Sequence, residues 1–380
     1  MRPMIFALLL TLSASHPAAV AQPAGQAASL ERRLQASFNQ SGFSGAVLVA
    51  NRDRIIFQGG FGLASREYQR PNRIDTQFNL ASLNKSMTAV AVMRLVEQSR
   101  LGLDDRVDRH LGGRWLALPV ASRITVRQLL AHTSGLGDYL ASAGALGCAT
   151  PLRSLRDYRP LMAAAELEFE PGTRSSYSNM GYLVLGAIIE SVTGEEYDSH
   201  LRRTLYQPLG MSRTEAVDLS LGHTNLAHGY YREPLAPLPR DRRLSDSEVE
   251  AHFERVGFRW RNNSYRCARP GTPAGGYYST VADLYRFARA LQAGRLVSTA
   301  TLAEMRRSHS TDNPNYGLGF TTRDGHIGHS GSAPGAESRY RILPDGHIII
   351  VLGNSEGSVN RAFRIIEAVG SGAGEGSSPS

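Results

Sequence analysis

The sequence lacks the features that identify several large classes of protein. None of its apolar runs reaches the ~18 residues of a membrane-spanning helix, which excludes a transporter or channel. Its 42 basic residues exceed its 34 acidic residues, for a formal charge of +8. No basic cluster or nucleic-acid-binding motif accompanies this excess, which argues against a nucleic-acid partner. The hydrophobic fraction of 42% is too high for whole-chain disorder, so we expect one or two globular domains.

Cysteine is also scarce, with only Cys148 and Cys267 in the 380 residues. Neither lies in a motif that would activate a thiol as a nucleophile. A disulfide between them is permitted in an oxidising compartment, and both the paired and the unpaired state stay open.

Residues 1–21 have the pattern of a secretory leader. Arg2 provides the positive start, residues 4–12 have the length of the hydrophobic region, and Ala-Val-Ala at 19–21 provides a small-residue cleavage site. We therefore expect export to the periplasm or the medium of a bacterium, with Gln22 as the first mature residue. No cysteine lies near the cleavage site, so no lipid anchor is expected.

The order of strands and helices predicts an α+β fold. Short strands with turn signals between them are predicted over residues 46–50, 55–58, 339–343 and 347–352. Apolar residues at helical spacing predict helices over residues 82–98 and 182–192. Strands near both ends indicate one antiparallel sheet built from both termini, flanked by helices, with a mostly helical region inserted between them.

We expect a single domain over residues 22–370. Its sheet part is predicted over residues 30–80 and 275–370, and its helical part over residues 81–274. Residues 214–270 are rich in Pro, Arg, His and Tyr and have little periodicity, which predicts loops over a cleft. The Gly/Ser-rich tail over residues 371–380 predicts disorder.

Lysine is the scarcest charged residue, and its single occurrence is informative. Of the 42 basic residues only Lys85 is a lysine. A buried lysine can give up its proton, whereas arginine does not. Ser82 lies three residues earlier, so both side chains share one face of the predicted helix. A surface lysine without a role is the alternative, but this spacing favours Lys85 as the base that activates the Ser82 hydroxyl.

Two further polar stretches accompany this pair. Residues 177–179 (YSN) precede the helix predicted over 182–192, and they provide a phenol to share the base role and an amide for the substrate. Residues 329–332 (HSGS) lie in a glycine-punctuated, strand-like stretch that can close the site from the opposite side. Each motif recurs by chance in other proteins, whereas the three in this order are far more specific.

With these motifs the chain resembles the superfamily of serine β-lactamases and penicillin-binding proteins. It is most similar to the branch related to class C β-lactamases, which includes D-alanyl-D-alanine carboxypeptidases, D-aminopeptidases and β-lactamase-like esterases. The resemblance extends from residue 44 to residue 354 and implies a β-lactamase/transpeptidase-like fold. Its matching stretches are residues 129–136 (LLAHTSGL), 177–194 (YSNMGYLVLGAIIESVTG), 208–214 (PLGMSRT), 275–284 (GGYYSTVADL) and 316–320 (YGLGF).

The resemblance also implies a role for each motif residue. Ser82 is the acylated nucleophile, and Lys85 accepts its proton in concert with Tyr177. Tyr177 then protonates the leaving group and helps to activate water for deacylation, while Asn179 orients the substrate amide. The backbone N–H groups of Ser82 and Ser332 form the oxyanion hole, where one lost donor typically costs ~10²–10³ in rate.

The third motif departs from the pattern of class C β-lactamases and most penicillin-binding proteins. Those proteins have Lys-Thr-Gly, whose cation receives the substrate carboxylate, whereas this chain has His329, Ser330 and Gly331. We expect these three residues to bind substrate, with an imidazole that holds a carboxylate more weakly and in a pH-dependent way. Histidine at this place is more similar to the D-aminopeptidases and some carboxypeptidases, and it argues against efficient β-lactam hydrolysis.

The sequence therefore predicts an exported serine hydrolase that forms an acyl-enzyme on Ser82. The expected substrates are peptides with D-residues, cell-wall fragments, or small esters and amides. One alternative is a β-lactamase, and another is a non-catalytic sensor of β-lactams or peptidoglycan. No metal ligand set and no cofactor motif are recognised. A small-molecule or peptide substrate, with no nucleic acid, is the expected partner.

Overall fold

A computed structural model describes residues 24–145, 152–219, 223–238, 245–263 and 269–370 of the chain. The predicted leader, both cysteines and the Gly/Ser-rich tail lie outside these residues, so their predictions stay predictions, as do the predicted domain boundaries. No helix among the described residues has the length and hydropathy to span a bilayer.

A five-stranded antiparallel sheet organises the molecule. Its order is β2 (Arg54–Phe61), β1 (Gly45–Asn51), β11 (His347–Gly353), β10 (Ala336–Ile342) and β9 (Ile327–Ala333). β1 pairs with β11 over its whole length, from Gly45 opposite Gly353 to Asn51 opposite His347. The first and last strands of the chain therefore lie side by side at the centre of the sheet. This confirms the prediction of one antiparallel sheet built from both ends of the sequence.

Six shorter strands lie outside this sheet: β3 (Leu63–Ser65), β4 (Arg70–Pro71), β5 (Phe78–Asn79), β6 (Tyr230–Pro234), β7 (Phe258–Asn262) and β8 (Tyr278–Ser279). The helices are α1 (Ala24–Gln40), α2 (Lys85–Glu97), α3 (Val107–Leu111), α4 (Leu118–Ala121), α5 (Val126–Leu130), α6 (Leu140–Ala145), α7 (Arg159–Ala163), α8 (Asn179–Thr193), α9 (Tyr197–Leu201), α10 (Asp246–Val256), α11 (Val281–Gln292), α12 (Thr299–Arg306) and α13 (Ser358–Gly370). The helix predicted over residues 182–192 is the C-terminal part of α8.

Side chains point alternately to the two faces of the central strands, and this divides the apolar core into two layers. In β1, Val47 and Val49 face a layer formed with α1 and α13, and this layer contains four phenylalanines close to one another. Ala46 and Leu48 face the opposite, larger layer, which contains α2, α8 and α11. This alternation is the two-residue period of a β-strand covered on both faces. The larger layer supports the helices that carry the candidate site.

The prediction of loops over residues 214–270 is wrong for much of the described part. Strands β6 and β7 form an antiparallel hairpin, and α10 lies between them in the sequence. Phe258 and Trp260 alternate with Arg259 and Arg261 along β7, and both arginines contact Glu233 of β6. This strand is exposed along most of its length, so it lacks the alternation of buried and exposed residues by which a strand is recognised.

Candidate active site

A tight turn presents Ser82. Residues Ala81–Asn84 form a 3₁₀ turn before α2, so the α-helix begins at Lys85 and not at Ser82 as the periodicity predicted. Ala81 has a left-handed backbone with φ of 45°, and its N–H donates to Asn79 Oδ1 at 2.8 Å. A non-glycine residue takes this conformation only where its surroundings impose it. The turn lifts Ser82 out of the regular helix at the edge of the larger core.

The edge strand β9 approaches this turn closely because residue 331 is a glycine. A Cβ atom at Gly331 would lie 2.1 Å from Leu80 O and 2.8 Å from Ser82 N. Both contacts are shorter than packing permits and both involve backbone atoms, so no side-chain rearrangement relieves them. This approach brings the Ser82 N–H close to the strand that carries Ser332. The oxyanion hole inferred from the family resemblance needs these two segments together.

The side chain of Lys85 is fully buried and directed at Ser82. Its Nζ atom lies 3.1 Å from Ser82 Oγ, donates to Asn179 Oδ1 at 2.6 Å, and contacts the carbonyl oxygen of Ala274. Neither carbonyl can donate a hydrogen, so each must receive one from the amine. A neutral amine has two hydrogens, and these two acceptors use both. Its lone pair therefore faces the Ser82 hydroxyl.

Burial also tunes the basicity of Lys85. Desolvation lowers the pKa of Lys85 from 10.5 to about 7, and the nearby carboxylate of Asp138 opposes part of this shift. A substantial fraction of the amine is thus unprotonated at neutral pH. The only lysine of the chain can accept a proton where the family resemblance requires it.

Tyr177 lies beside the nucleophile but has a different protonation state. Its hydroxyl hydrogen-bonds Ser82, and its ring centroid is 4.8 Å from Lys85 Nζ. Although 46% of Tyr177 is exposed, burial raises the pKa of its phenol to about 12. Tyr177 is therefore a protonated phenol at neutral pH. Of the two residues, Lys85 is therefore the one suited to accept a proton at neutral pH and Tyr177 the one suited to donate it.

Asn179 contacts two charged groups. Its amide oxygen accepts from Lys85 Nζ, and its Nδ2 atom donates to Asp138 Oδ2 at 2.6 Å. Because a carboxylate only accepts hydrogen bonds, Asp138 sets the orientation of this amide. Asn179 therefore orients Lys85, and its remaining N–H is the donor through which the predicted substrate contact would run.

His329 differs from the expectation of a pH-dependent carboxylate contact, and the structure corrects it. The residue is 4% exposed, its Nδ1 atom donates to Ser330 O at 2.6 Å, and its Nε2 atom lies 3.1 Å from the Tyr316 hydroxyl. Burial and the charge of Lys85 lower the pKa of His329 to about 3. The imidazole is neutral at physiological pH, and protein atoms occupy both its nitrogens.

The two faces of β9 have different roles. His329 and Gly331 are buried, whereas Ser330 and Ser332 are exposed, as the two-residue period of a strand requires. Because the Cβ position of Gly331 points at Leu80 O and Ser82 N, the side chains of Ser330 and Ser332 lie on the face of β9 opposite to Ser82. Among the described residues, no three or more His, Cys, Asp or Glu side chains gather as a metal site.

Comparison with known proteins agrees with this geometry. The model of the family named Beta-lactamase matches residues 27–370. The chain belongs to this family. It is 34% identical over 320 residues to esterase EstB of Burkholderia gladioli, covering 77% of this chain and 80% of EstB.

Two further members of the Beta-lactamase family extend the likeness. The chain is 28% identical over 353 residues to penicillin-binding protein 4* of Bacillus subtilis (strain 168), covering 89% of this chain and 74% of that protein. The crystal structure of a penicillin-binding protein from Bacillus halodurans superposes with a TM-score of 0.74 at 26% identity, covering 88% of this chain and 98% of that one. This family member is therefore a serine hydrolase with the β-lactamase/transpeptidase-like fold.

Sequence reasoning missed two groups that act on Lys85. Asp138 and the carbonyl of Ala274 lie 53 and 189 residues from Lys85 along the chain. Asp138 lies directly after the matching stretch over 129–136, separated from it by one glycine, and no local pattern marks it. The two adjacent glycines at 275–276 were the only signal near Ala274, since they allow the backbone to approach Ala81.

Proposed function

We propose that this protein hydrolyses small esters and amides that lack a carboxylate at the position read by the third motif, through an acyl-enzyme on Ser82. The observation that carries the proposal is the position of Lys85 Nζ, 3.1 Å from Ser82 Oγ with carbonyl oxygens as its two other partners, which leaves the lone pair of the neutral amine for the Ser82 proton. The similarity to an esterase, at 34% identity, supports the ester substrate.

The proposed reaction has two halves. In the first, Ser82 Oγ bonds to the substrate carbonyl carbon, its proton passes to Lys85 Nζ, and the leaving group departs with a proton delivered through Tyr177. In the second, water attacks the acyl carbon and loses a proton to the same pair of residues, the bond between that carbon and Ser82 Oγ breaks, and the proton returns to Oγ as the acid leaves. Backbone N–H groups of Ser82 and Ser332 would stabilise the oxyanion in both halves.

The substrate class follows from the charges around the site. The imidazole of His329 is uncharged, so it supplies no cation for a substrate carboxylate. Lys85 has its amine engaged with Ser82, Asn179 and the carbonyl of Ala274. The free-energy cost of desolvation on binding is therefore smaller for a neutral acyl group than for the carboxylate-bearing ring system of a penicillin.

A second candidate substrate class is favoured by Asp138. This residue is exposed beside the site, and its carboxylate accepts from Asn179. A carboxylate there attracts a free amino group on the substrate, which favours amides and peptides of D-amino acids. Comparing D-alanine p-nitroanilide with its N-acetylated form in wild type and in Asp138→Asn tests this: the preference for the free amine should disappear in the variant.

Intact-mass spectrometry with small-molecule product analysis tests the main proposal. The protein is incubated separately with p-nitrophenyl butyrate and benzylpenicillin, with Ser82→Ala as the blank. We expect a transient butyryl adduct on wild type alone and release of nitrophenol and butyrate. Opening of penicillin at a comparable rate would instead indicate a β-lactamase. A lasting penicillin adduct without ester turnover would indicate a sensor or a slow cell-wall peptidase. The absence of any adduct would refute the acyl-enzyme.

Export is a separate proposal, supported by the leader pattern over residues 1–21. Expression of the full chain in a Gram-negative host should give a periplasmic protein whose mass corresponds to a start at Gln22. A cytoplasmic protein that retains residues 1–21 would refute it.

A further inference from the structure

His132 lies beneath Tyr177 and belongs to none of the catalytic roles described above. It is 3% exposed and has a left-handed backbone with φ of 60° in the turn after α5. Its ring centroid is 4.3 Å from that of Tyr177, 5.2 Å from that of Tyr182 and 4.9 Å from that of Tyr316. A histidine in this backbone conformation, at the centre of three tyrosines, requires an explanation.

His132 holds the chain on both sides of Tyr177. The N–H of Ser176 donates to the carbonyl oxygen of His132 at 2.9 Å. The N–H of Ser178 donates to the Nδ1 atom of the same residue at 3.1 Å. One residue thus receives the two backbone donors that flank Tyr177, while its ring packs against the Tyr177 ring.

These contacts determine the tautomer of His132. A backbone N–H only donates, so Nδ1 must be the unprotonated nitrogen and the hydrogen of the neutral ring is on Nε2. Among the described residues Nε2 has no hydrogen-bond partner. Burial, with Lys85 and His329 nearby, holds the pKa of His132 well below 6.5. A ring that stays neutral and whose donor has no partner does not relay protons, so its role is mechanical.

We propose that His132 is a positioning residue for Tyr177, whose imidazole and carbonyl hold the backbone on both sides of the phenol so that the hydroxyl faces Ser82. The inference rests on the proposed function, because it acts through the delivery of a proton by Tyr177. The left-handed backbone of His132 is what directs its carbonyl and its ring to the same short segment. Loss of the imidazole acceptor removes the hydrogen bond that holds the Ser178 backbone.

The expected consequence depends on the leaving group. An alkoxide must be protonated as it departs, whereas p-nitrophenolate leaves without a proton. Displacement of the Tyr177 hydroxyl should therefore slow acylation by an ethyl ester far more than acylation by a p-nitrophenyl ester of the same acid. A purely structural role for His132 would slow both reactions equally.

The test compares three substitutions with ethyl butyrate and p-nitrophenyl butyrate as substrates. Asn places its amide oxygen near the position of Nδ1 and tolerates a left-handed backbone, whereas Gln places it one bond further away and Leu has no acceptor. For His132→Leu and His132→Gln we expect kcat/KM to fall about 30-fold with the ethyl ester and less than about threefold with the nitrophenyl ester. His132→Asn should stay within about threefold of wild type on both.

His252→Leu is the matched control, since His252 is a buried histidine of α10 that bonds the carbonyl of Ala236. It should lower the melting temperature and leave the ratio of the two ester rates unchanged. Two results would overturn the proposal. One is an equal loss of activity on both esters in His132→Leu, and the other is a His132→Asn variant that is as impaired as His132→Gln at equal melting temperature. If Leu does not fold, the Asn and Gln pair decides the question alone.

Crystal structures of the variants separate this proposal from the proposed function. The Tyr177 hydroxyl should keep its place in His132→Asn and move away from Ser82 in His132→Gln. An unmoved Tyr177 in His132→Gln would overturn the positioning role whatever the enzyme hydrolyses. A moved Tyr177 in a protein that hydrolyses neither ester would support the positioning role and refute only the proposed substrates.

Discussion

Two buried bases, Lys85 and His329, lie on opposite walls of the site, and burial lowers the pKa of both with different consequences. The helical wall is formed by α2 and α8, and the strand wall by β9. Lys85, on the helical wall, starts from a pKa of 10.5, and desolvation lowers it to about 7. His329, on the strand wall, starts from 6.5, and desolvation lowers it to about 3. The same physical effect therefore produces a titrating base at neutral pH in one case and a permanently neutral ring in the other. The starting pKa of the side chain decides which of these results.

The hydrogen-bond partners sharpen this difference. Lys85 has two carbonyl acceptors, from Asn179 and Ala274, and directs its remaining lone pair at Ser82. His329 bonds Ser330 and Tyr316 through its two nitrogens and has no lone pair left for chemistry. In the proposed mechanism the helical wall performs the proton transfer, and the strand wall shapes the cleft.

The largest effect is expected from Lys85→Arg, which keeps the charge and removes the base. Arginine does not give up its proton, so the acylation rate should fall at least ~10³-fold. Pre-steady-state release of p-nitrophenolate measures this rate. Because Lys85 is fully buried and arginine is larger, Lys85→Met is the second variant, with the same expectation. Near-normal acylation in either folded variant would show that Lys85 is not the base.

Gly331→Ala should have the next largest effect, because it separates the two walls. The new Cβ atom would contact Leu80 O and Ser82 N, so β9 must move outwards and the oxyanion hole must widen. We expect a loss of ~10²-fold in kcat, the cost of an oxyanion donor. Gly181→Ala is the matched control, since its Cβ atom would meet neighbours at 3.6 Å or more and it lies within α8. Equal activity of the two variants would contradict a close-approach role for Gly331.

His329→Lys converts the neutral strand wall into a charged one. A second cation near Lys85 should lower the pKa of Lys85 further and provide a site for a substrate carboxylate. We expect the preference for a succinyl half-ester over a neutral butyrate ester to rise roughly tenfold, the effect of one added ion pair in a partly buried site. Competition between the two substrates measures it. An unchanged preference would show that the strand wall does not read this part of the substrate.

Asp138→Asn should have the smallest effect, because it removes the charge but keeps an oxygen that can accept from Asn179 Nδ2. The Asp138 carboxylate raises the pKa of Lys85, so its removal should move the acidic limb of the acylation rate to lower pH. The pH profile of kcat/KM for a neutral ester checks this direction. An acidic limb that moves to higher pH would contradict the conclusion that Asp138 raises the pKa of Lys85.

The sequence predicted the site residues that are close together along the chain, but not those that are brought together only by the fold. Ser82 and Lys85 were paired correctly because three residues bring two side chains together in either a 3₁₀ turn or an α-helix. Asp138 could not be paired with Lys85, since the two are linked through Asn179 and therefore depend on how α8 packs beside α2. The burial of His329 could not be predicted because it depends on which face of β9 meets the core.

The fold was predictable where turn-forming residues stood next to a clear hydrophobic pattern. The hairpin around Asp345 and Gly346 joins β10, which has apolar alternation, to β11, which is a continuous apolar run, so both were found within a few residues of their bounds. The hairpin of β6 and β7 was missed because none of its residues apart from Tyr230 is buried. A strand stabilised by arginine–glutamate pairs and aromatic contacts has no hydrophobic period to detect.

The pH dependence of acylation in single-turnover experiments tests the central claim most directly. Lys85 must be unprotonated to accept the Ser82 proton, so the acylation rate should rise tenfold per pH unit up to about pH 7 and then level off. Tyr177, with its pKa raised to about 12, should add no descending limb below pH 10. An acylation rate that still rises through pH 9, or that is flat from pH 5 to 9, would contradict a neutral Lys85 as the base.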